Sequence, residues 1–332
     1  MTDYYDSESI KRLLSPKKWI SPHKMVTVAV DERAGVAEII EDHARGNCLG
    51  GSAWSLYHYT KNSESVFWSK REGPRLFYKV KLSKAHTPAS LVASYDPASI
   101  ESVVTEGDKV KVTYSGLAGA GVAALSRGMA EGVEGVEVMD YGGGKKVGRA
   151  TLILPKKEKL IIGVDDTDKT DEGATWSLVN ELANEISSWF PGTCYLENAI
   201  VQLYPQNPHK TQNCVAVSTS FAVLSDHAMP IVKAFKDALA EHSLSKETGM
   251  AFFRGIQIPA SLMEFAKRAK SQMVTVQEAE EAAKEGGVTT IRVTGDRGLI
   301  GAVASIAYVE SPDEAVRITD SAREGGAEAY DV

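Results

Sequence analysis

Apolar runs of strand length alternate with helical patterns along most of the chain. Short apolar runs at 25–30, 76–82, 109–114 and 160–164 have the length and composition of β-strands. Longer segments with apolar residues three or four positions apart predict helices at 117–132, 175–186, 230–242, 259–270 and 276–286. Polar loops separate these elements. The pattern predicts the α/β class, in the sense of a fold with mixed α and β elements.

Two stretches interrupt the periodic pattern. Residues 1–24 are polar, and we expect them to form an N-terminal arm that packs only through Trp19 and Ile20. Glycines, lysines and a proline cluster at 140–159, which is typical of a boundary between domains. A chain of 332 residues has room for about two domains. The predicted organisation is an arm at 1–24, an α/β domain at 25–150 and a second domain at 151–332.

Three short sequence motifs recur in the same order in the two halves of the chain. "AVDE" at 29–32, "GSAWSL" at 51–56 and "GLAGA" at 116–120 correspond to "GVDD" at 163–166, "GATWSL" at 173–178 and "GLIGA" at 298–302. We infer two divergent, unequal copies of one α/β unit, the alternative being chance agreement among common residues. Asp31 and Glu32 lack the third carboxylate of the second copy, so the first copy would be degenerate and non-catalytic.

Composition excludes several classes of protein. Hydrophobic residues make up 43% of the chain, so disorder is not expected. The net charge of −7 gives no general attraction for nucleic acid, although a local basic patch would suffice. Because no apolar run is long enough for a membrane helix and no secretory signal is visible, we expect a cytoplasmic protein without membrane contact. Three cysteines without a CxxC pair exclude a four-thiolate zinc site.

The segment 160–186 is the most informative in the chain. Asp165, Asp166 and Asp168 follow a short strand, and Gly173 precedes a helix. Three carboxylates this close together repel one another unless a cation or strong donors lie among them. Mg²⁺ prefers such oxygen ligands and a helix N-terminus attracts phosphate, so one loop could hold both a metal and a polyphosphate. The alternative is that the acidic residues only cap the helix.

The helix that follows this acidic loop has one apolar face. Trp176, Val179, Ala183 and Ile186 recur at spacings of three and four residues. We expect this face, Trp176 included, to lie in the core.

Two further loops carry candidate phosphate ligands. Lys210 and Thr211 lie in the polar loop 204–213 between two strand-like runs, and could meet phosphates from the side opposite the acidic loop. Arg297 and Gly298 lie in a glycine-rich turn before an apolar helix. An ordinary polar hairpin loop and a bare glycine turn would show the same patterns.

Two weaker signals also have two interpretations. His209 could act as a general acid or base near neutral pH, or could be a surface histidine. Aromatic and basic residues alternate at 67–81, a pattern that suits either RNA binding or a half-solvated hairpin.

Three sequence motifs in the second half resemble those of a known protein family. "GVDDTD" at 163–168, "LYPQNPHKTQNCVAVS" at 203–218 and "GDRGLIGAVASIA" at 295–307 are similar, in this order, to motifs of archaeal tRNA(Ile) agmatinylcytidine synthetase, an ATP-using tRNA-modifying enzyme. The resemblance spans roughly 160–310, the part equivalent to the kinase-like ATP-binding domain of that family. With its own N-terminal half, the chain as a whole resembles the methanogenesis marker protein 11 family of methane-producing archaea.

The loop chemistry and this resemblance together imply a nucleotide-binding, kinase-like domain that uses ATP and Mg²⁺. They imply metal ligation by Asp165, Asp166 and Asp168, and catalysis by Asp166 and Lys210. The residues expected to bind the cofactor are Gly163, Thr167, Gly173, Thr175, Lys210, Thr211, Arg297 and Gly298. Trp176 stands where the synthetases carry a threonine that becomes phosphorylated, a departure that argues against autophosphorylation.

Three functions follow from these observations. The leading hypothesis is an ATP- and Mg²⁺-dependent, phosphotransferase-like enzyme that activates a substrate in a methanogenesis-linked process. The runner-up is a non-catalytic nucleotide-binding factor that matures a methanogenic enzyme, which would be its protein partner. The third is tRNA modification, with RNA disfavoured as a partner by the acidic net charge. The sequence leaves open the substrate, the choice between phosphoryl and adenylyl transfer, and the oligomeric state.

Overall fold

A computed structural model describes residues 2–323 and divides the chain after Glu158 into two compact units, unit 1 and unit 2. Residues 324–332 of the predicted second domain lie outside the described residues. The strands are β1 (Asp3–Asp6), β2 (Met25–Asp31), β3 (Val36–Asp42), β4 (Val66–Glu72), β5 (Arg75–Lys81), β6 (Ala98–Glu106), β7 (Lys109–Leu117), β8 (Gly135–Gly143), β9 (Lys146–Pro155), β10 (Glu158–Asp165), β11 (Cys194–Gln202), β12 (Val215–Val223), β13 (Gly249–Arg254) and β14 (Thr289–Arg292).

The α-helices are α1 (Ser7–Leu14), α2 (Leu49–Asn62), α3 (Gly119–Ser126), α4 (Thr175–Trp189), α5 (Ala228–His242), α6 (Ala260–Ser271), α7 (Val276–Glu285), α8 (Leu299–Ile306), α9 (Pro312–Ala315) and α10 (Asp320–Arg323). The predicted class, with mixed α and β elements, is confirmed. None of the described helices is both long enough and apolar enough to cross a membrane.

Unit 1 contains two antiparallel sheets. One has the strand order β1-β8-β9-β7-β6 and the other the order β2-β3-β5-β4. Apolar side chains from both sheets form one core with Leu14 of α1, Tyr59 of α2 and Ala124 of α3. The sheets therefore share a single hydrophobic interior rather than forming separate domains.

A buried ion pair lies in this core. Arg127 donates from Nε and Nη2 to the two carboxylate oxygens of Glu41 at 2.9 and 3.0 Å, and both side chains are fully buried. The guanidinium packs over the rings of Tyr59 and Tyr114 at 4.9 and 4.4 Å, and the Tyr114 hydroxyl donates to Glu41 at 2.6 Å. Burial acts to raise the pKa of Glu41, but the charges of Arg127 and His23 and the hydrogen bonds from Arg127 and Tyr114 together outweigh it and lower that pKa to about 2.

The N-terminal segment is not an arm that packs only through Trp19 and Ile20, although Ile20 does pack against the core of unit 1. β1 pairs with β8, and Asp6 caps α1 by accepting a hydrogen bond from the Ser9 N–H at 2.7 Å. Ile10 and Leu14 are buried, whereas Trp19 is 75% exposed. Ile10 and Leu14 are one helical turn apart, and this spacing is the signal that marks the segment as a packed amphipathic helix.

The boundary between the units falls later than the sequence predicts. Residues 146–155 form β9, which pairs with β7 along its whole length. Gly142, Gly143 and Gly144 have positive φ, and Gly144 with Lys145 forms the turn between the end of β8 and the start of β9. The division therefore lies at Glu158 and not near residue 150. A glycine-rich hairpin turn and a linker have the same composition, so composition alone does not separate them.

The recurring motifs do not correspond to one repeated topology. "AVDE" closes β2, which turns directly into β3, whereas "GVDD" closes β10, which leads to α4. In the described residues, unit 1 has two sheets and unit 2 has one. "GLAGA" and "GLIGA" each lead into a helix that packs closely on glycines of a sheet, so the likeness is local.

Unit 2 has helices on both faces of its sheet, whose strand order is β11-β12-β10-β13-β14. Leu160, Ile162 and Val164 of β10 pack with α4 and α5, whereas Ile161 packs with α6, α7 and α8. β10 is thus buried on both faces, in agreement with its continuous apolar sequence. The helices predicted between residues 175 and 286 are confirmed as α4 to α7.

The ion pair predicts a large effect of removing one partner. Arg127→Met leaves the buried Glu41 charge unpaired, and we expect the free energy of unfolding of unit 1 to fall by about 3–5 kcal/mol. The matched control is Arg33→Met at a side chain that is 87% exposed, with an expected change within about 0.5 kcal/mol. Hydrogen–deuterium exchange in β3 and β7 peptides reports the change. Equal protection in both variants would contradict a stabilising role for the pair.

The shifted pKa values of His23 and Glu41 predict that the free energy of unfolding of unit 1 falls in two stages as the pH is lowered. Burial, with the Arg127 charge, lowers the pKa of His23 well below 6.5, so below that pH the unfolded chain binds a proton that the folded chain does not. The free energy of unfolding therefore falls as pH drops through this value. Glu41, with a folded pKa of about 2 against an ordinary 4.5, adds a loss of about 3 kcal/mol at lower pH.

Urea unfolding at a series of pH values tests these two stages. We expect His23→Gln to reduce the first stage and to keep most of the second, because Glu41 keeps Arg127, whose charge lowers its pKa more than His23 does. A first stage of equal size in wild type and variant would contradict the assignment to His23.

Candidate functional site

The C-terminal end of β10 carries the first carboxylate of the acidic loop. Because side chains alternate along a strand, Ile161, Gly163 and Asp165 share the face of β10 that packs on α8. Asp165 lies against Gly301 of α8, where a Cβ would be 2.0 Å from Asp165 Oδ2. Its Oδ1 accepts the Asp166 backbone N–H at 2.7 Å. Strand and helix thus hold this carboxylate from two sides.

α8 approaches the sheet through glycines. A Cβ on Gly163 would be 2.0 Å from the Ala302 carbonyl oxygen, and one on Gly298 would be 2.4 Å from the Gly249 nitrogen. Gly163 and Gly298, both predicted to bind the cofactor, therefore lie in a backbone contact between helix and sheet. Their absent side chains place α8; neither residue lines the cleft described below.

Asp166 has a left-handed backbone, with φ of 56°. Such a conformation costs a non-glycine residue on the order of 1 kcal/mol or more. The carboxylate Oδ2 accepts from Arg297 Nε at 2.9 Å, and the Asp166 carbonyl accepts from the Thr248 hydroxyl at 2.7 Å. The turn therefore directs Asp166 toward Arg297 while Asp165 faces α8.

The surroundings disfavour the charged form of both carboxylates. Burial, together with the nearby charges of Asp166 and Asp168, raises the pKa of Asp165 well above its ordinary value. Burial also raises the pKa of Asp166, although Arg297 opposes the shift. One guanidinium does not balance this group of carboxylates, so the electrostatics favour an added cation.

Thr167, Gly173 and Thr175 brace the acidic loop from within. The Thr167 N–H and hydroxyl both donate to the Thr175 hydroxyl oxygen, at 3.3 and 3.0 Å, and both residues are 3% exposed. Gly173 has φ of 92° and packs against Asp168, where a Cβ would be 3.0 Å from the Asp168 Cβ. These three predicted cofactor-binding residues thus support the loop and do not line the cleft.

The acidic residues do not cap the following helix. Ala174 precedes α4, no side chain caps its first N–H groups, and its first turn contains no acidic residue. The capping alternative therefore fails. Val179, Ala183 and Ile186 are buried as predicted, but Trp176 is 51% exposed, so its assignment to the core is wrong.

Asp168 joins the acidic loop to the loop 204–213. The Thr211 hydroxyl donates to Asp168 Oδ1 at 2.7 Å, and the Gln212 amide donates to the carbonyls of Lys169 and Gly173 at 2.8 and 3.0 Å. Asp168 is 8% exposed. Two loops separated by about forty residues are therefore fixed together by side chains.

The acidic loop, the loop 204–213 and the turn before α8 enclose a cleft of about 40 Å³. It brings together five predicted site residues, namely Asp165, Asp166, Lys210, Thr211 and Arg297. Lys210 is exposed and its Nζ donates to the Pro205 carbonyl at 2.7 Å. The other lining residues are Leu203, Asn207, His209, Cys214, Val215 and Ile300. Asn207 and Cys214 went unrecognised in the sequence, although they lie in or beside a loop already singled out.

A larger pocket of about 270 Å³ adjoins this cleft and shares five lining residues with it, namely Leu203, Asn207, His209, Arg297 and Ile300. Its remaining walls come mainly from the end of α6 and the link to α7, with Ala269, Met273, Val274 and Val276. The pocket is more apolar than the cleft. No sequence motif indicated it, because its walls are distant in sequence from the acidic loop.

The three carboxylates do not form a joint metal site. Within residues 2–323, no group of three or more His, Cys, Asp or Glu side chains is arranged to hold a metal ion. Asp168 instead accepts from the Thr211 hydroxyl at Oδ1, so its assignment as a metal ligand stays a prediction. Asp165 and Asp166 remain in the cleft, and Mg²⁺ commonly binds through one or two carboxylates together with substrate phosphates.

Sequence comparison finds a relative that matches most of the chain. The chain is 41% identical over 288 residues to the uncharacterized protein MJ0921 of Methanocaldococcus jannaschii, a match that covers 87% of this chain and 94% of that protein. The chain belongs to the MJ0921 family. The name methanogenesis marker protein 11, suggested by the resemblance, is not confirmed by this match.

The second half of this MJ0921-family chain is similar to synthetases. Residues 161–227 match the TiaS TCKD domain. The chain is 35% identical over 153 residues to the tRNA 2-agmatinylcytidine synthetase TiaS of Pyrococcus horikoshii, across 45% of this chain and 35% of the synthetase. A solved complex of TiaS with its tRNA and ATP aligns with 45% of this chain and 36% of its own, at a TM-score of 0.41 and 23% identity.

The family match and the sequence identity confirm that the second half resembles the synthetases. The chain spans about a third of the length of the synthetases that it matches. The matched segment 161–227 contains both the acidic loop and the loop 204–213, which the structure joins through Asp168 and Thr211.

A double-mutant cycle tests this joint between the loops. Because the hydrogen bond has a charged acceptor, we expect Asp168→Asn and Thr211→Val to show a coupling energy of about 1.5–3 kcal/mol in urea unfolding of unit 2. Thr211→Ser keeps the hydroxyl and is the control, with little expected change. Additive effects of the two substitutions would show that the loops are held by other contacts.

Proposed function

We propose that this MJ0921-family protein binds ATP with Mg²⁺ in the cleft of unit 2 and uses it to activate a substrate by group transfer. The observation that carries the proposal is the convergence of Asp165 and Asp166 with Arg297 and Lys210 in one cleft. Carboxylates for a metal and basic side chains for phosphate are the two sets of groups that proteins use for phosphoryl transfer.

Asp165 and Asp166 are the residues that would hold the metal. Asp165 is fixed by the Asp166 N–H and by its contact with Gly301, so it requires little rearrangement to act as a ligand. Its raised pKa reflects burial and neighbouring carboxylates, both of which a divalent cation would offset. When bound, Mg²⁺ would screen the charge of the phosphates.

Lys210 and Arg297 would neutralise the charge of the phosphates. Lys210 is a mobile point charge that now contacts the Pro205 carbonyl, whereas Arg297 is already held by Asp166. Asp166 and Lys210 are the proposed catalytic residues, because both line the cleft and carry charge into it. Thr167, Gly173 and Thr175 would act by positioning the acidic loop.

The adjoining apolar pocket offers space for an uncharged part of the nucleotide or of the substrate. Met273, Val274 and Val276 supply apolar walls, and Arg297 borders both cavities. A ligand with a polar phosphate end and a flat or apolar end would match this arrangement.

Sequence similarity supports the proposal, since the relatives of the second half are named synthetases. The similarity covers 45% of this chain, so it bears on unit 2 and not on the substrate. A methanogenesis-linked role in the cytoplasm belongs to the same proposal and rests on the family resemblance of the sequence.

A non-catalytic nucleotide-binding factor, acting on a protein partner, is the second candidate. Trp176 favours it, because this residue stands where the synthetases have a phosphorylated threonine and is exposed at the start of α4. Transfer to a separate substrate does not need that threonine, so we rank the enzyme first. A tRNA-modifying activity is the third candidate, and a gel-shift with archaeal tRNA distinguishes it from the others.

Calorimetric titration with ATP and Mg²⁺ tests the proposed site. We expect micromolar binding to wild type and at least a tenfold weaker Kd for Asp165→Asn/Asp166→Asn, because the metal loses both carboxylates. The matched control is Asp226→Asn, at a side chain that is 81% exposed. Equal binding by wild type and the double variant would overturn the assignment.

ATP turnover then separates the first two candidates. We expect Lys210→Met to lower turnover more than it weakens ATP binding, since the proposed role is to stabilise charge during transfer. Tight binding without any turnover in wild type would favour the non-catalytic factor.

A further inference from the structure

The first turn of α2 in unit 1 carries a cysteine with unusual surroundings. Cys48 immediately precedes α2, and its side chain makes no capping hydrogen bond. Among the described residues, the backbone N–H groups of Gly50 and Gly51 donate to no partner. An N-cap side chain normally accepts from these two positions, so both N–H groups at the start of α2 are open to another acceptor.

His43 lies beside this thiol because Gly51 has no side chain. A Cβ on Gly51 would be 2.2 Å from His43 Cε1, and 2.8 Å from both His43 Nδ1 and Cys48 Sγ. The imidazole nitrogen and the sulfur therefore flank the same point. His43 Nδ1 is shielded from solvent and has no hydrogen-bond partner in the described part of the chain.

A second unpartnered histidine stands behind the first. The His23 ring is 4.7 Å from the His43 ring, is 3% exposed, and neither of its nitrogens has a hydrogen-bond partner among residues 2–323. Its Nε2 is 3.7 Å from Glu41 Oε2, and Glu41 is held by Arg127. Burial, with the Arg127 charge, lowers the pKa of His43, which favours the neutral imidazole, the form that has a lone pair for a proton, although a weaker base than a solvated imidazole.

From this geometry we infer that unit 1 contains a thiol nucleophile for acyl groups, formed by Cys48, His43 and the N–H groups of Gly50 and Gly51. Cys48 supplies the sulfur, His43 is the base, and the two N–H groups stabilise an oxyanion. A nucleophile, a neighbouring base and preorganised N–H donors are the three parts that acyl transfer requires. The inference is independent of the proposed ATP site, because all of its residues belong to unit 1.

The chemistry balances with an activated ester or thioester as donor and water as final acceptor. The Cys48 sulfur forms a bond to the carbonyl carbon and its proton passes to His43 Nδ1. The carbonyl oxygen carries the negative charge beside the Gly50 and Gly51 N–H groups until the bond to the leaving group breaks, and that group takes the proton from His43. Water then attacks the Cys48 thioester with His43 again as base, which releases the acid and restores the thiol.

The other two cysteines provide matched controls. Burial raises the pKa of Cys214 to about 12, and its thiol donates to the Tyr204 carbonyl at 3.2 Å. Cys194 begins β11 and, like Cys48, is half-buried. Exposure alone therefore does not distinguish Cys48 from Cys194, and a difference in reactivity between them would reflect the surroundings of the thiol.

The full-length protein treated with p-nitrophenyl acetate tests the inference. We expect a stoichiometric burst of p-nitrophenolate, with the acetyl group found on Cys48 by peptide mass spectrometry. Cys48→Ser should abolish the burst and Cys194→Ser should leave it unchanged. His43→Asn should slow it by at least about tenfold at neutral pH, the usual contribution of a general base being on the order of 10²-fold. Thermal unfolding of each variant checks that it is folded.

Two results would overturn the inference. One is acetylation of Cys194 or of lysines at the same rate as Cys48, and the other is a folded His43→Asn variant that reacts at the wild-type rate. If His43→Asn does not fold, the relative rates of Cys48 and Cys194 alkylation by iodoacetamide in wild type decide the question. Preferential alkylation of Cys48 supports the site, and equal rates refute it.

Discussion

The close contact between α8 and the sheet of unit 2 is the constraint on which the candidate nucleotide site depends. At Gly163, Gly249, Gly298 and Gly301, any Cβ would lie between 2.0 and 2.4 Å from a facing atom. A helix held away by one of these side chains would separate Gly301 from Asp165 and would move Arg297 relative to Asp166. The geometry of the site thus follows from four absent side chains as much as from the acidic residues themselves.

The pKa values of buried carboxylates shift in opposite directions in the two units. Glu41 is matched by Arg127 and hydrogen-bonded by Tyr114, and its pKa falls to about 2. Asp165 instead lies near other carboxylates, and burial raises its pKa. A buried carboxylate that is paired with an opposite charge holds the surrounding core in one arrangement. A buried carboxylate without such a partner destabilises the fold until a ligand supplies the opposite charge. The direction of the shift therefore separates a structural carboxylate from a candidate ligand for a cation.

Local periodicity was sufficient to predict α4 to α7, because each of these helices buries one face against the sheet or its neighbours. It failed for Trp176, which has the right spacing but is exposed, since spacing does not show where neighbouring elements end. The acidic loop and Lys210 were predicted as site residues because each lies in a short, recognisable sequence motif. The role of Gly163 was not, because only the folded chain shows that α8 packs on it. Likewise, Met273 and Val274 join the site only through the packing of α6 and α7.

Asp166 combines a left-handed backbone, with φ of 56°, and a buried carboxylate whose pKa is raised. Glycine at this position would relieve the backbone strain, but it would also leave the Arg297 guanidinium without the carboxylate that accepts from its Nε. The position thus sets a cost in backbone strain against a bond that holds Arg297 beside the cleft. Selection for heat resistance alone would act on this balance, so the aspartate would persist only where its bond to Arg297 outweighs the strain, whatever part it has in the proposed site.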